Sequence, residues 1–558
     1  MKTPSPSLRR RARHLAAALL LSSASFVAAA APPAAPAAGW WRDATFYEIF
    51  VRSFADASHG PLAGDGIGDL QGLIEHLDYL NDGRGAAGRS LGIDAVWLMP
   101  IQPSPSYHGY DVTDYFAVNP QFGDLPLMRR FVSEAHRRGI RVIVDLVLNH
   151  TSSRHPLFQQ ALRETAGGSA RRMFRFAPLP EQLWGNWGER LWHPAGDAFY
   201  YGAFGDQMPD WNFREPAVTA HHRRAAEFWL RAVGVDGFRL DAVRYFYENG
   251  DELLDTAETR QWLKEFTDYC HAVKPDSFVI GEDTARVPEV ARCLRGGAMD
   301  SAFEFDLAHA IVESIRLQTG GILTQTLQQL DTLYGRDPRW ATFLSNHDQD
   351  RIRTQLGDRE DRTRLAAKLL FTLPGVTFIY YGEELGVRGA KPDPELRTPM
   401  PWSADWPNAG FTAPTAHPWH PLNADFKTVN VAAESGPDSM LSLYRRLIAL
   451  RASSPALRHG APVAITVDDP RLFVMLRTTA DEAVIVLANP TDAPRPGPIL
   501  TLHAGTIPAG WIAREEIDRV PLAPPWISPD GGIANWSPVK TLPPNTVYAI
   551  RFAAPPGR

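Results

Sequence analysis

The stretch GFRLDAVRY, residues 237–245, alternates as a strand does, with Phe238, Leu240 and Ala242 on one face and Arg239 and Asp241 on the other. A guanidinium and a carboxylate two positions apart share a side that an ordinary core would fill with Val or Leu. Polar residues close three further apolar runs: Asp145, Asn149 and His150 follow RVIV, Glu282 and Asp283 follow SFVIG, and Asn346, His347 and Asp348 follow ATFLS. Taken singly, an Asp ending a strand is a cap or turn residue and a His packs with a satisfied hydrogen bond. Several carboxylates and two imidazoles at the same ends of successive strands call for another explanation.

Three chemistries use such residues. A metal hydrolase needs histidines and carboxylates around an open coordination position, and no dense His cluster is present. Nucleophilic Ser or Cys catalysis needs a hydroxyl or thiol activated by a His, and no nucleophile-elbow pattern stands at a strand end. Retaining glycoside hydrolysis needs one ionised carboxylate as nucleophile and one protonated carboxyl as acid/base, ~5–5.5 Å apart. The strand-end residues supply those parts.

The elements that must position them read as alternating strands and helices. Eight runs have strand character: 44–54, 94–100, 141–149, 237–243, 277–283, 301–307, 341–348 and 376–384. Helical spacing fills the gaps, as in LPLMRRFVSEAHRRG and AHHRRAAEFWLRAVG. The expectation is an α/β protein, a (β/α)8 TIM barrel with catalytic groups at the C-terminal ends of its strands. The barrel takes residues 40–150 and 211–454, and residues 151–210, too long for a simple loop, form an inserted domain B after the third strand. Residues 455–558, with RLFVMLRTT, AVIVLANP and TVYAIRFA between Pro- and Gly-rich turns, read as a C-terminal antiparallel β-domain. Its Trp511, Trp526 and Trp536 are expected in core or interface packing rather than on a binding surface.

At 558 residues with 22% charged residues and a net charge of -6, the chain has no basic excess to engage nucleic acid. Residues 1–30, basic then apolar then small, read as a secretory signal peptide, with 31–39 as linker; the apolar run is too short for a membrane anchor. A periplasmic or extracellular monomer is expected. In that compartment Cys270 and Cys293 form one disulfide or remain two buried thiols.

DLVLNH, GFRLDAVRY, VIGED and FLSNHD, in this order, resemble the short motifs of the α-amylase family of glycoside hydrolases, and the similarity extends to WRDATFYEIFVRSF, HGYDVTDYFAVNPQFGD, MPDWNF, PGVTFIYYGEELG and RTPMPW. The resemblance covers residues 40–430 and implies the barrel, domain B and a β-sandwich domain C. It also implies roles: Asp241 as nucleophile, Glu282 as general acid/base, Asp348 as the third carboxylate, and Arg239 as the cation keeping Asp241 ionised. His150, His347 and Tyr110 match residues that contact the sugar at the cleavage point. Asp111 and Arg397 match a pair that grips the terminal glucose in exo-acting members, while MPDWNF resembles amylase- and neopullulanase-like members. An α-amylase on starch or maltooligosaccharides is the favoured expectation, ahead of an exo-acting α-glucosidase, oligo-1,6-glucosidase or transglycosylase. A non-catalytic sugar-binding or chaperone-like barrel, the reading from another class, is opposed by the intact carboxylates. In DASHGPLAGDGIGDL the resemblance implies a calcium loop with Asp65, the Ile67 carbonyl and Asp69 as ligands, and Asn149 matches a ligand of a different calcium. The competing reading is that Asp65 and Asp69 shape a turn and cap a helix.

Overall fold

The computed structural model describes residues 39–555, apart from 86–87, 181–182, 186–187, 250–251, 336 and 503–506. The segment read as a signal peptide and the linker up to residue 38 lie outside the described residues.

Eight parallel strands make the central sheet: β1 Thr45–Ile49, β2 Ala95–Leu98 and β3 Arg141–Leu146 precede an insertion carrying β4 Phe176–Ala177, β5 Trp192–Ala195 and β6 Ala198–Tyr201, after which come β7 Gly237–Leu240, β8 Phe278–Gly281, β9 Ser301–Ala302, β10 Ala341–Thr342 and β11 Val376–Tyr380. The order β10-β11-β1-β2-β3-β7-β8-β9 is completed by a parallel bridge from Phe303 to Ala341, which closes the ring. This is the expected (β/α)8 barrel, and all eight expected strand runs carry a barrel strand. The strands are shorter than the runs because the residues after each strand leave the sheet to build the rim.

Alternation along each strand separates two apolar environments. Tyr47, Val142, Val144, Phe238, Leu240 and Val279 point outward into the core shared with the helices. Phe46, Trp97, Ile143, Phe278, Ile280, Phe303 and Phe378 point inward and fill the barrel. Two residues further along β1, β3 and β8, on that inward side, stand Glu48, Asp145 and Glu282, and β7 contributes Arg239 and Asp241. The interior thus changes from aromatic packing to charge toward the C-terminal mouth. Gly237 is required where β7 meets β8, since a Cβ there would lie 2.0 Å from the Phe278 carbonyl oxygen. The helices obey the same logic. In Leu125–Arg137, Met128, Phe131, Val132 and Ala135 are buried at helical spacing, and Asp124 caps the first turn by accepting from the Leu127 N–H at 2.8 Å.

The insertion contains two short helices, Pro156–Ala161 and Ser169–Arg172, and an antiparallel sheet in the order β4-β6-β5. Phe158, Phe174, Tyr200 and Trp211 pack its base, and bridges from His150 to Asp210 and from Phe174 to Trp211 bind it to the rim. The C-terminal region runs through β12 Ala461–Val463, β13 Thr466–Val467, β14 Phe473–Thr478, β15 Ala483–Asn489, β16 Arg495–Pro496, β17 Leu500–Leu502, β18 Ile512–Glu515, β19 Ile533–Trp536, β20 Thr541–Leu542 and β21 Thr546–Ala553. Its main sheet, β12-β14-β15-β21-β18, is antiparallel and packs with β13-β17-β19 around Leu476, Ile485, Leu487, Leu500, Trp536, Ile550 and Phe552. Trp536 is in that core and Trp511 leans on it, whereas Trp526 is 69% exposed, contrary to expectation for that residue. Its neighbours Pro524 and Pro525 donate no backbone N–H to a ladder, and the surrounding segment forms no regular strand that would carry the ring inward. Cys270 and Cys293 are buried free thiols, which settles that alternative.

Candidate active site

The charged residues at the mouth form one connected network. Arg239, buried and with its guanidinium 5.2 Å from the Trp97 ring centroid, donates through Nη1 to both oxygens of Asp145 at 3.1 Å and to Asp241 Oδ1 at 2.6 Å. Its Nη2 lies 3.0 Å from Glu282 Oε2. Three carboxylates from β3 and from the ends of β7 and β8 therefore share one cation. After Asp241 the backbone turns sharply: Ala242 has φ of +49°, an uncommon value for a residue with a side chain, and its N–H donates to Glu282 Oε2 at 3.2 Å.

The network continues across the barrel. Tyr110 donates its hydroxyl to Asp145 Oδ2 at 3.1 Å and lies 2.6 Å from Nε2 of His347, with the two rings parallel within 15°. His347 Nε2 is 3.1 Å from Asp348 Oδ2, and Arg397 donates from Nη2 to Asp348 Oδ1 at 2.8 Å and from Nε to the His347 carbonyl at 2.9 Å. Asp393 accepts a further bond from Arg397 at 3.0 Å. Asp348 is the most open of the three expected catalytic carboxylates, with 41% of its side chain exposed against 19% for Glu282 and 11% for Asp241.

The electrostatics are uneven. Burial raises the pKa of Asp241 and of Glu282; Arg239 pulls both back, while the charge of Asp348 adds to the rise. Arg239 acts on Asp241 in the expected direction, by charge and by hydrogen bond, but burial is the larger effect, and the same guanidinium also touches Glu282. Asp145, with no exposure, is pushed by burial up to about 7 despite Arg239. Asp348 goes the other way, held well below the usual carboxylate range because His347 and Arg397 outweigh its desolvation. The two histidines also diverge. Burial lowers His150 to about 3, so it is neutral, and among the described residues its Nε2, 4.0 Å from Asp241 Oδ2, has no hydrogen-bond partner. His347 is held up at about 9, because Asp348 and Glu48 outweigh its burial.

Of the residues expected at the site, Asp241, Glu282, Asp348, Arg239, Tyr110, His347 and Arg397 fall in this chain of contacts and His150 stands beside it. Asp111 is buried nearby with hydrogen bonds from Ser104 at 2.5 Å and from Ser106, and no hydrogen bond joins it to Arg397 among the described residues. The residues expected at calcium lie elsewhere. Asp69 accepts from the Gln71 and Gly72 N–H groups through one oxygen and from the Ala57 N–H through the other, and so caps the helix Leu70–Glu75. Asp65 Oδ1 accepts from the Ile67 N–H, and Asp56 accepts from Gly64, Gly66 and Thr412. Asn149 donates to Asp210 at 3.1 Å and keeps a buried, unpartnered Oδ1. The oxygens of Asp69 are thus committed to backbone N–H groups, whereas Asp65 accepts through Oδ1 alone; among the described residues no group of three or more His, Cys, Asp or Glu is arranged to hold a metal.

Two residues without an expected role also reach the site: Glu48, which touches His347, and Phe204, whose ring lies 5.0 Å from both His150 and Tyr245. A Glu amid the buried strand TFYEI was the available signal for the first. Nothing in the aperiodic insertion signalled the second.

A family model described as the alpha amylase catalytic domain matches residues 48–460. Alpha-amylase 3 of Dictyoglomus thermophilum is 36% identical over 453 residues, spanning 81% of this chain and 85% of that protein. The trehalose-6-phosphate hydrolase of Escherichia coli is 30% identical over 518 residues, with 81% and 90% covered, and the oligo-1,6-glucosidase of Parageobacillus thermoglucosidasius is 29% identical over 531 residues with the same coverage. The crystal structure of the alpha-amylase from H. orenii superposes with a TM-score of 0.78 at 34% identity, covering 91% of this chain and 99% of that one. With a barrel that brings these motifs to one mouth and a family model matched along most of its length, the chain belongs to the α-amylase family of glycoside hydrolases.

Proposed function

We propose that the protein is a retaining α-amylase that cleaves α-1,4-glucosidic bonds in starch and maltooligosaccharides. The observation that carries the reading is the pair Asp241 and Glu282 on the two terminal nitrogens of one guanidinium. Asp241 has the shorter charge-assisted bond, so the proton of the pair resides on Glu282. Asp241 attacks the anomeric carbon while Glu282 gives its proton to the departing glycosidic oxygen, leaving a covalent glucosyl ester on Asp241. Glu282, now a base, takes a proton from water, which attacks the same carbon and frees a sugar of α configuration with Asp241 restored. Asp348, His347 and the free Nε2 of His150 bind hydroxyls of the flattened ring, and these bonds tighten as positive charge develops.

An exo-acting α-glucosidase is the second reading. It is favoured by Arg397 and Asp111, both buried beside the site and matched to the pair that grips the terminal glucose in exo-acting members. Export of the chain, through residues 1–30, fits a polymeric substrate that cannot enter a cell. Products from starch and from end-blocked maltooligosaccharides separate the readings. Short mixed products from blocked chains support the amylase; glucose released only from unblocked ends supports the exo-enzyme.

A further inference from the structure

Glu48 projects from β1 into the barrel two residues beyond Phe46, and it is 2% exposed. Its Oε1 lies 2.6 Å from Nδ1 of His347, whose other nitrogen faces Tyr110 and Asp348. The imidazole is therefore held at both ends, and it is also held on its faces and edges. Tyr110 lies parallel to it at 5.5 Å and Trp97 meets it edge-on at 5.6 Å.

We propose that Glu48 is a positioning residue for the glycosidic chemistry: by accepting the Nδ1–H of His347 it fixes the orientation and the charge of that ring, so that Nε2–H is presented to the sugar hydroxyls beside Asp348. The inference rests on the reading of Asp241, Glu282 and Asp348 given above.

His150 supplies an internal contrast. Both histidines are buried at the same mouth, yet His150, with no carboxylate in hydrogen-bond contact, is neutral, while His347 stays protonated to about 9. An imidazolium donates from both nitrogens; a neutral ring that donates to Glu48 through Nδ1 has only an acceptor left at Nε2 and cannot donate to a sugar hydroxyl. The surroundings of His347 are mixed in sign. Glu48 comes from β1, Asp145 from β3 by way of the Tyr110 hydroxyl, Arg239 and Asp241 from the β7 segment, and Asp348 and Arg397 from the loops after β10 and β11. Two of the carboxylates, Asp145 and Asp241, are already bonded to Arg239, and Asp348 is bonded to Arg397. Among the described residues the Glu48 side chain hydrogen-bonds to His347 alone, so its carboxylate is committed to that ring.

Glu48→Gln retains the shape and an oxygen acceptor but removes the charge. With maltooligosaccharide substrates, kcat/KM is expected to fall about tenfold at pH 7; with glucosides of acidic phenols, whose departure needs no proton from Glu282, the alkaline limb of kcat/KM is expected to move down by at least one pH unit, with the melting temperature little changed. Nitrogen-15 histidine NMR reads the same event without turnover: His347 should remain protonated to about pH 9 in the wild type and lose its proton at least one unit lower in the variant. In a His347→Asn background, Glu48→Gln should have little further effect on kcat, because the two residues act as one unit. An active Glu48→Gln enzyme with an unchanged alkaline limb and unchanged His347 titration overturns the inference alone. A wild type that hydrolyses no α-glucan overturns it together with the proposed function.

Discussion

Arg239 and Asp241, two residues apart on the same strand direction, are joined by a 2.6 Å bond, and the same guanidinium extends to Asp145 and Glu282. Taking it away strands three buried carboxylates, which must then protonate or repel one another. Arg239→Leu is expected to lower stability by about 3–5 kcal/mol and kcat by at least a thousandfold. Arg239→Lys keeps the charge but not the fork, so it should recover part of the stability and little of the activity. Chemical unfolding and steady-state kinetics on both variants check this.

Glu282 is raised by burial, with the charges of Asp241 and Asp348 adding to the rise. As the proton donor it matters most when the leaving group is poor. Glu282→Gln should cost about 10²–10⁴-fold on maltooligosaccharides and far less on glucosides of acidic phenols, where departure needs no proton. The alkaline limb of kcat/KM that belongs to Glu282 should vanish with the activated substrates. Equal losses on both substrate classes would remove Glu282 from the acid role.

Asp236 anchors the opposite end of the barrel: it accepts from the Val142 N–H at 2.9 Å, from Arg141 at 2.9 Å and from Lys274 at 2.8 Å, and lies 2.6 Å from His136 Nε2. Burial alone would raise it, but His136 and Lys274 hold it well below the usual carboxylate range. A carboxylate with a depressed folded pKa contributes stability that is fully present above its unfolded value near ~3.8 and is lost as pH falls through the folded value. Asp236→Asn should therefore lower stability at pH 7 by about 3 kcal/mol and flatten the dependence below pH ~4, as read by denaturant unfolding across pH.

Asp69 accepts hydrogen bonds from three backbone N–H groups and caps the helix Leu70–Glu75. Asp69→Ala should cost about 1–2 kcal/mol as a lost helix cap. Treatment with a chelator should leave the melting temperature and activity of the wild type unchanged. A drop of several degrees that calcium restores would show that the loop rearranges around an ion.

The sequence made the barrel legible because period-two alternation and helical spacing record which face of each element is buried, and Arg239 and Asp241 broke that pattern where chemistry needs charge. Strand ends were blurred: Phe343 and Leu344 continue the apolar run of β10, yet the chain leaves the sheet after Thr342. The small sheet of the insertion was illegible, since Trp192–Ala195 and Ala198–Tyr201 are held by aromatic contacts rather than by alternation. Glu48 was passed over for a different reason. A carboxylate in a barrel strand acquires meaning only when the chain brings His347, 299 residues away, to within 2.6 Å.

The central claim is that Asp241 becomes covalently glucosylated. A fluorinated α-glucosyl fluoride, whose good leaving group speeds the first step while fluorine slows the second, should accumulate that ester. Mass spectrometry of peptides from the inactivated protein is predicted to find one added fluoroglucosyl unit on Asp241, absent from Asp241→Asn. A label on any other carboxylate, or first-formed products of β configuration by proton NMR from an unlabelled enzyme, would contradict the account.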